Sequence, residues 1–175
     1  DGVNVVGGCC GTTPDHIGAL DAMLRRVADD GFRPRPKPRK ARLQPSLASL
    51  FGAVQQRQEN AYLAIGERCN ANGSKKFREL QEAHDWDGCV AMGREQAREG
   101  SHAIDLCTAF VGRDEKAEMV EVAMRMRGQV DAPIVFDSTE LPVLEAAIEL
   151  YGGKGVLNSK NFRDGEAPAA ARMRP

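Results

Sequence analysis

Tyr62-Leu63-Ala64-Ile65-Gly66-Glu67-Arg68-Cys69-Asn70 is the stretch on which the fold turns. Tyr62 to Ile65 read as a short apolar strand, and the glycine and polar cluster behind it read as the strand's end. The same unit recurs downstream. His102-Ala103-Ile104-Asp105-Leu106 is a second strand, Pro133-Ile134-Val135-Phe136 a third closed by Asp137-Ser138-Thr139, and Gly155-Val156-Leu157 a fourth closed by Asn158-Ser159. Helical patterns fill the gaps. One spans about Asp85 to Glu99 and stops at Gly100. A second covers 113–128, with Ala117, Val120, Ala123 and Met124 at helical spacing. A third runs from Leu141 to about Leu150, and Gly165 onward suggests a fourth. Strands alternating with helices predict an α/β fold with a parallel sheet and right-handed crossovers. A doubly wound sheet and a (β/α)8 barrel both fit this order.

The chemistry lies in what closes each strand. Glu67 and Asn70, then Asp105, Asp137 and Asn158, fall at four consecutive strand ends, and in parallel α/β folds those ends share the ligand-binding face. Such a rim offers carboxylate acceptors and amide groups with little fixed positive charge. It suits a flat heterocycle with adjacent N–H donors, a pterin for example, whose ring amide and amino group give two hydrogen bonds to one carboxylate. A carboxylate-held divalent metal is the competing use, although no histidine joins the set. The plain alternative is that these residues are helix N-caps, the commonest job for Asp or Asn after a strand.

Upstream, Val3-Asn4-Val5-Val6 reads as a strand, followed by Gly7-Gly8-Cys9-Cys10-Gly11 and a helix start in which Thr13 is the N-cap, Pro14 the first helical residue and Asp15 complements the helix dipole. That helix is expected to reach about Asp29. Four prolines and six basic residues then alternate through 33–45, a pattern that excludes a helix or central strand and predicts an extended linker. The expected organisation is therefore 1–31, a linker over 32–50, and 51–175.

Composition narrows the classes. Of 175 residues, 42% are hydrophobic and only 5% aromatic, so the core is aliphatic and suits an α/β protein. A net charge of −1 provides no field for nucleic acid, and no apolar run approaches the roughly 20 residues that span a bilayer. Five irregularly spaced cysteines argue against a disulfide framework and for a reducing, cytoplasmic setting. His16, His84 and His102 read as structural, Cys69, Cys89 and Cys107 as buried spectators, and Trp86 as packing at a helix start.

Taken together, Ile65-Gly66-Glu67-Arg68-Cys69-Asn70-Ala71-Asn72-Gly73-Ser74, Ile104-Asp105, Phe136-Asp137-Ser138-Thr139 and Leu157-Asn158-Ser159 resemble the pterin-binding barrel family, over about residues 61–166. That family includes methyltetrahydrofolate:corrinoid methyltransferases, dihydropteroate synthase and the folate module of methionine synthase. The stretch from Val5 to Ile17 resembles the end of a homocysteine-binding barrel. The two in one chain resemble the cobalamin-dependent methionine synthase family. The resemblance implies a partial TIM-type (β/α)8 pterin-binding barrel, preceded by the last strand and helix of a second (β/α)8 barrel. It implies pterin contacts from Asp137 and Asn158, with Asp105 and Asn70 lining the pocket and Glu67 holding the first strand end. It also implies zinc on Cys9, Cys10 and a third cysteine preceding this stretch, with homocysteine as the fourth ligand.

The implied reaction passes a methyl group from 5-methyltetrahydrofolate to cobalamin, held by another module of the parent protein, and then to homocysteine. The N5 contact is expected from a later strand, and the chain is expected to be inactive alone. Two other readings compete: a dihydropteroate synthase-like or corrinoid methyltransferase enzyme, and a non-catalytic α/β fragment.

Overall fold

The computed structural model describes residues 5–29 and 44–158. The chain divides into two compact units, residues 1–43 and 44–175.

In the first unit α1 spans Pro14–Asp29. Its start is a reciprocal cap. The Thr13 carbonyl accepts from the His16 and Ile17 amides, while the Thr13 amide donates back to His16 Nδ1 at 3.1 Å. Histidine thus fills the reaching-back half of a capping box, in the Glu/Gln place, while Thr13 Oγ1 pairs with the same ring nitrogen at 2.9 Å; this accounts for His16 structurally. Asp21 and Arg25 pair one turn apart at 2.7 Å. Val5 and Val6, expected in a strand, are exposed and outside any strand. An extended segment becomes a strand only when a neighbour takes up its backbone groups, and these two have no such neighbour among the described residues. Val3 and Asn4 lie outside the described residues.

The second unit opens with an antiparallel hairpin, β1 (Ser46–Ala48) and β2 (Ala53–Gln55). Residues 46–48 of the stretch read as linker are thus strand. Ser49 makes the turn: its amide donates to the Gly52 carbonyl at 2.9 Å and its hydroxyl to the Asp131 carbonyl at 2.6 Å. Then follow β3 (Ile65–Asn70), α2 (Lys75–Glu82), α3 (Trp86–Arg98), β4 (Ala103–Cys107), α4 (Glu115–Met126), β5 (Ile134–Asp137), α5 (Leu141–Tyr151) and β6 (Val156–Asn158). The strands form one parallel sheet in sequential order β3-β4-β5-β6. Sequential neighbours without a reversal contain no switch point of the doubly wound kind. The residues expected to open a further helix, from Gly165, lie outside the described residues.

The first sheet strand sits three residues later than its apolar run suggests. Tyr62 is almost fully exposed, and the ladder begins at Ile65, which pairs with Ala103. The polar residues Glu67 and Arg68 are inside the strand rather than behind it.

Alternation along the strands sorts side chains to two faces. Cys69, Ile104, Leu106, Ile134 and Phe136 pack with Val90, Met119, Val122 and Leu144 of the helices in one buried cluster. Ala103 and Val135 belong to the other face, where Leu47 of the hairpin covers them. The α4 face expected from spacing is corrected: Glu118, Met119, Val122, Ala123 and Met126 are buried, while Met124 is exposed. Met119, Val122 and Met126 set this face by packing into the core, and Glu118 joins it. Arg113 Nε donates to its carboxylate at 2.5 Å and Gln81 Nε2 at 2.7 Å, so a charged residue is held on the buried side.

Among the described residues no helix is long and apolar enough to cross a membrane.

Candidate functional site

The strand-end residues converge on the face that Ala103 and Val135 share. Asp105 is two residues beyond Ala103, and Asp137 two beyond Val135. Asn158 pairs with Asp137 in register, and Asn70 with Cys107. Asn70 Nδ2 donates to Asp105 Oδ2 at 2.8 Å and to Asp137 Oδ2 at 3.2 Å, bridging three strands with one amide. Asn70 Oδ1 accepts from the Asn72 amide at 2.9 Å, which fixes the amide's orientation.

Asn70, Asp105 and Asp137 do not cap the helices that follow them. Ser74 caps α2 and Asp114 caps α4, each by accepting from a first-turn amide, and Glu140 stands at the α5 start without a side-chain cap bond. The capping explanation therefore falls for Asn70, Asp105 and Asp137.

A register irregularity aims Asn70. Gly66 pairs with Ile104 and Cys69 with Leu106, so three steps on β3 match two on β4. This is a bulge, which inserts one residue and re-aims the side chains beyond it. Without it, alternation from Gly66 would send Asn70 to the helix face.

Electrostatics distinguish Asp105. It is 6% exposed, and burial pushes its carboxyl above the usual range; the Asn70 hydrogen bond opposes this, and the charges of Asp137 and Glu67 add to it. Glu67 is itself exposed, on the bulge. Asn158 is exposed on β6, the outermost strand among the described residues, and its carbonyl accepts from the Ser138 amide at 2.7 Å. By sequence Cys107 reads as a buried or semi-buried spectator near the strand-end rim. It is buried on the site face with Asn72 Nδ2 3.4 Å from its sulfur. A cleft of about 510 Å3 lined by Ala53, Arg57, Asn60 and His102 lies by the start of β4, away from the strand ends. It carries none of the converging acids.

Cys9 and Cys10 are free, exposed thiols with sulfurs 3.5 Å apart. Hydrogen bonds from Cys10, backbone and side chain, hold the Cys9 pKa below its ordinary value. Among the described residues no group of three or more His, Cys, Asp or Glu is placed to hold a metal. The pair fits half a zinc site, since zinc–sulfur bonds of about 2.3 Å at a tetrahedral angle space two sulfurs by about 3.8 Å.

The parallel sheet with polar residues gathered at its strand ends is an α/β arrangement in which that face is the usual place for a ligand, and the comparisons specify the family. Residues 66–174 match the family model described as pterin binding enzyme, and residues 1–24 match homocysteine S-methyltransferase. The chain belongs to the pterin-binding enzyme family.

Across 95% of its length it is 46% identical to a methionine synthase of Mycobacterium leprae (strain TN) and 43% identical to one of Mycobacterium tuberculosis (strain ATCC 25618 / H37Rv). The resemblance to methionine synthases read from the motifs is thus homology. The chain spans only 14% and 13% of those relatives. Its fold is also similar to a dihydropteroate synthase of Xanthomonas albilineans solved with 4-aminobenzoic acid. The TM-score is 0.52 at 18% identity, over 75% of this chain and 48% of that one.

Proposed function

We propose that this chain carries part of the folate site and part of the homocysteine site of a cobalamin-dependent methionine synthase. The overall reaction passes the methyl group of 5-methyltetrahydrofolate by way of cobalamin to homocysteine, giving methionine and tetrahydrofolate. Residues 1–31 are the end of the homocysteine-binding barrel, 32–50 the connection, and 51–175 the first half of the pterin-binding (β/α)8 barrel.

The observation that carries the reading is the Asn70 amide shared by Asp105 and Asp137. A pterin presents adjacent N–H donors along one edge, and carboxylates whose other lone pairs are already oriented receive them at little reorganisation cost. Asp137 and Asn158, paired across neighbouring strands, take the ring edge. Asp105 and Asn70 line the pocket, and Glu67 sits at its β3 side.

On the first unit, Cys9 and Cys10 would hold zinc, together with a third cysteine outside this chain. A bound zinc lowers the pKa of a ligated thiol, so that homocysteine can react as a thiolate near neutral pH. The apolar residues Ile17, Leu20, Leu24 and Val27 of α1 recur at helical spacing, as on a helix built to cover a barrel. Cobalamin is held by a module of the parent protein outside this chain. A dihydropteroate synthase-like reaction would use a similar rim but leaves the Cys9-Cys10 loop without a role.

Calorimetry of methyltetrahydrofolate binding to the full parent protein, wild type against Asp137→Ala, tests the reading. Truncating one partner of a buried charged hydrogen bond costs about 2–5 kcal/mol. Affinity that collapses in the variant supports the pterin site. Binding indifferent to Asp137 overturns it.

A further inference from the structure

Gln96 lies on α3, on the helix side of the sheet, and touches none of the strand-end acids. It is 2% exposed, and both ends of its amide are used. Gln96 Oε1 accepts from the Arg68 amide at 2.8 Å. Gln96 Nε2 donates to Cys69 Sγ at 3.2 Å and to the Met92 carbonyl at 3.4 Å. Burial pushes the Cys69 thiol up to about 12, so its sulfur stays a protonated, neutral acceptor.

Glu67 and Arg68, between the paired residues Gly66 and Cys69, are where β3 departs from regular register. A bulge leaves one residue off the ladder, and its orphaned backbone group needs a partner when water is excluded. Gln96 is that partner. The sequence makes room for it at one point: a Cβ on Gly66 would come within 2.6 Å of Gln96 Oε1 and 2.8 Å of Ser101 Oγ. The Arg68 side chain adds a tether by pairing with Glu95 and Glu99, on α3 and at its C-cap.

We propose that Gln96 is a positioning residue for the strand-end site: by holding the β3 bulge it keeps Asn70 turned onto Asp105 and Asp137. The importance of that site rests on the pterin reading above, but the positioning does not. A buried glutamine spanning an amide and a thiol across the sheet from the site is a support of the kind that fixes site side chains within a fraction of an ångström. If its acceptor is lost, the Arg68 amide loses its partner inside the protein, and the bulge relaxes toward regular register. Alternation then carries Asn70 away from the carboxylates.

The test reads the site without ligand. The Asp105 carboxyl is titrated by carbon NMR in the whole chain, and the Asn70 side-chain amide protons are followed in the same samples. The variants are Gln96→Met, which keeps volume and deletes the acceptor, Gly66→Ala, which displaces Gln96 without deleting it, Asn70→Ala as the reference, and Met126→Ala as a core-destabilised control. The expected result is an upward shift of the Asp105 midpoint in the first three and none in the control. The Asn70 amide signals should move toward free-amide values in Gln96→Met and Gly66→Ala. Gly66→Ala carries the test alone if Gln96→Met does not fold. An Asp105 midpoint and Asn70 signals unchanged in Gln96→Met and Gly66→Ala, with Asn70→Ala shifted, overturn the proposal. A chain that behaves as expected here, yet whose parent binds no pterin, keeps the positioning and loses the folate reading.

Discussion

Asn70 Nδ2 lies 2.8 Å from Asp105 Oδ2, and this hydrogen bond works against the burial of the carboxylate it touches. Asp105 is placed where a charge is expensive, beside Asp137 and Glu67, and one neutral amide supplies the compensation.

The first prediction concerns pH. The folded-state pKa of Asp105 is raised, by burial first and by Asp137 and Glu67 after it. A raised acid contributes stability that is fully present below its ordinary value and is lost as pH rises through its folded pKa. Asp105→Asn removes that loss while keeping an acceptor for Asn70. The variant should therefore gain in Tm over wild type as pH rises from 4 to 7, measured by circular dichroism in the same buffers. A difference that does not change with pH would remove the electrostatic cost from the site.

A second prediction separates the cysteines. The thiolate is the reactive form. Cys9 and Cys10 are exposed, and Cys9 is shifted down. Burial pushes Cys69 and Cys89 up to about 12 and Cys107 up to about 11. Brief iodoacetamide treatment of the native, metal-free chain at pH 7.5 should alkylate Cys9 and Cys10, Cys9 faster, and leave the other three for the denatured chain. Peptide mass spectrometry reads this directly. Added zinc should slow the Cys9 and Cys10 adducts selectively.

A third prediction tests the hairpin. The Ala48 and Lys154 backbones exchange hydrogen bonds of 3.0 and 2.8 Å, which fasten β1 just ahead of β6. A Cβ on Gly153 would drive into the Ala48 carbonyl oxygen and lie 2.7 Å from Tyr151 Cε1. Backbone atoms cannot swing aside as a side chain can, so Gly153→Ala should cost about 1–3 kcal/mol, the range for overpacking. Urea denaturation measures the loss. The Ala48 and Lys154 amides should also exchange faster than those of β4. Retained protection there would mean that the Ala48–Lys154 pairing survives the added methyl and that the clash is relieved elsewhere.

How far the sequence carried this picture depends on which residues held the signal. The apolar runs before Asp105 and Asp137 located β4 and β5 to within a residue, because strands buried on both faces read as continuous hydrophobic stretches. Gly100, with positive φ, marked the end of α3 for the same local reason. β3 was misplaced because its ladder runs through Glu67 and Arg68, whose polarity imitates a loop. The bulge that makes this possible depends on a glutamine 28 positions away, which no local pattern announces. The α4 face was misjudged for a similar reason, since Glu118 is buried only because Arg113 and Gln81 meet it in three dimensions. The convergence of Asn70, Asp105 and Asp137 was legible, because topology alone places consecutive strand ends together. Their sharing of one amide was not.

The fourth prediction isolates a single hydroxyl. Tyr151, the last residue of α5, is 2% exposed, and its ring meets Phe136 edge-on at 5.2 Å. Its oxygen accepts from the Ile134 amide at 3.0 Å, where β5 begins. Tyr151→Phe keeps the ring, the packing against Phe136 and nearly all the volume. What it removes is the acceptor for a buried backbone N–H, whose desolvation then stands uncompensated at about 1–3 kcal/mol. Urea unfolding should lose that amount with an unchanged m value, because the area exposed on unfolding is the same. The Ile134 amide should lose protection against hydrogen exchange more than Val135 or Phe136. A loss below about 0.5 kcal/mol, the ordinary effect of a surface substitution, would mean that water or a neighbouring carbonyl satisfies Ile134, and that the α5–β5 contact rests on the aromatic pair.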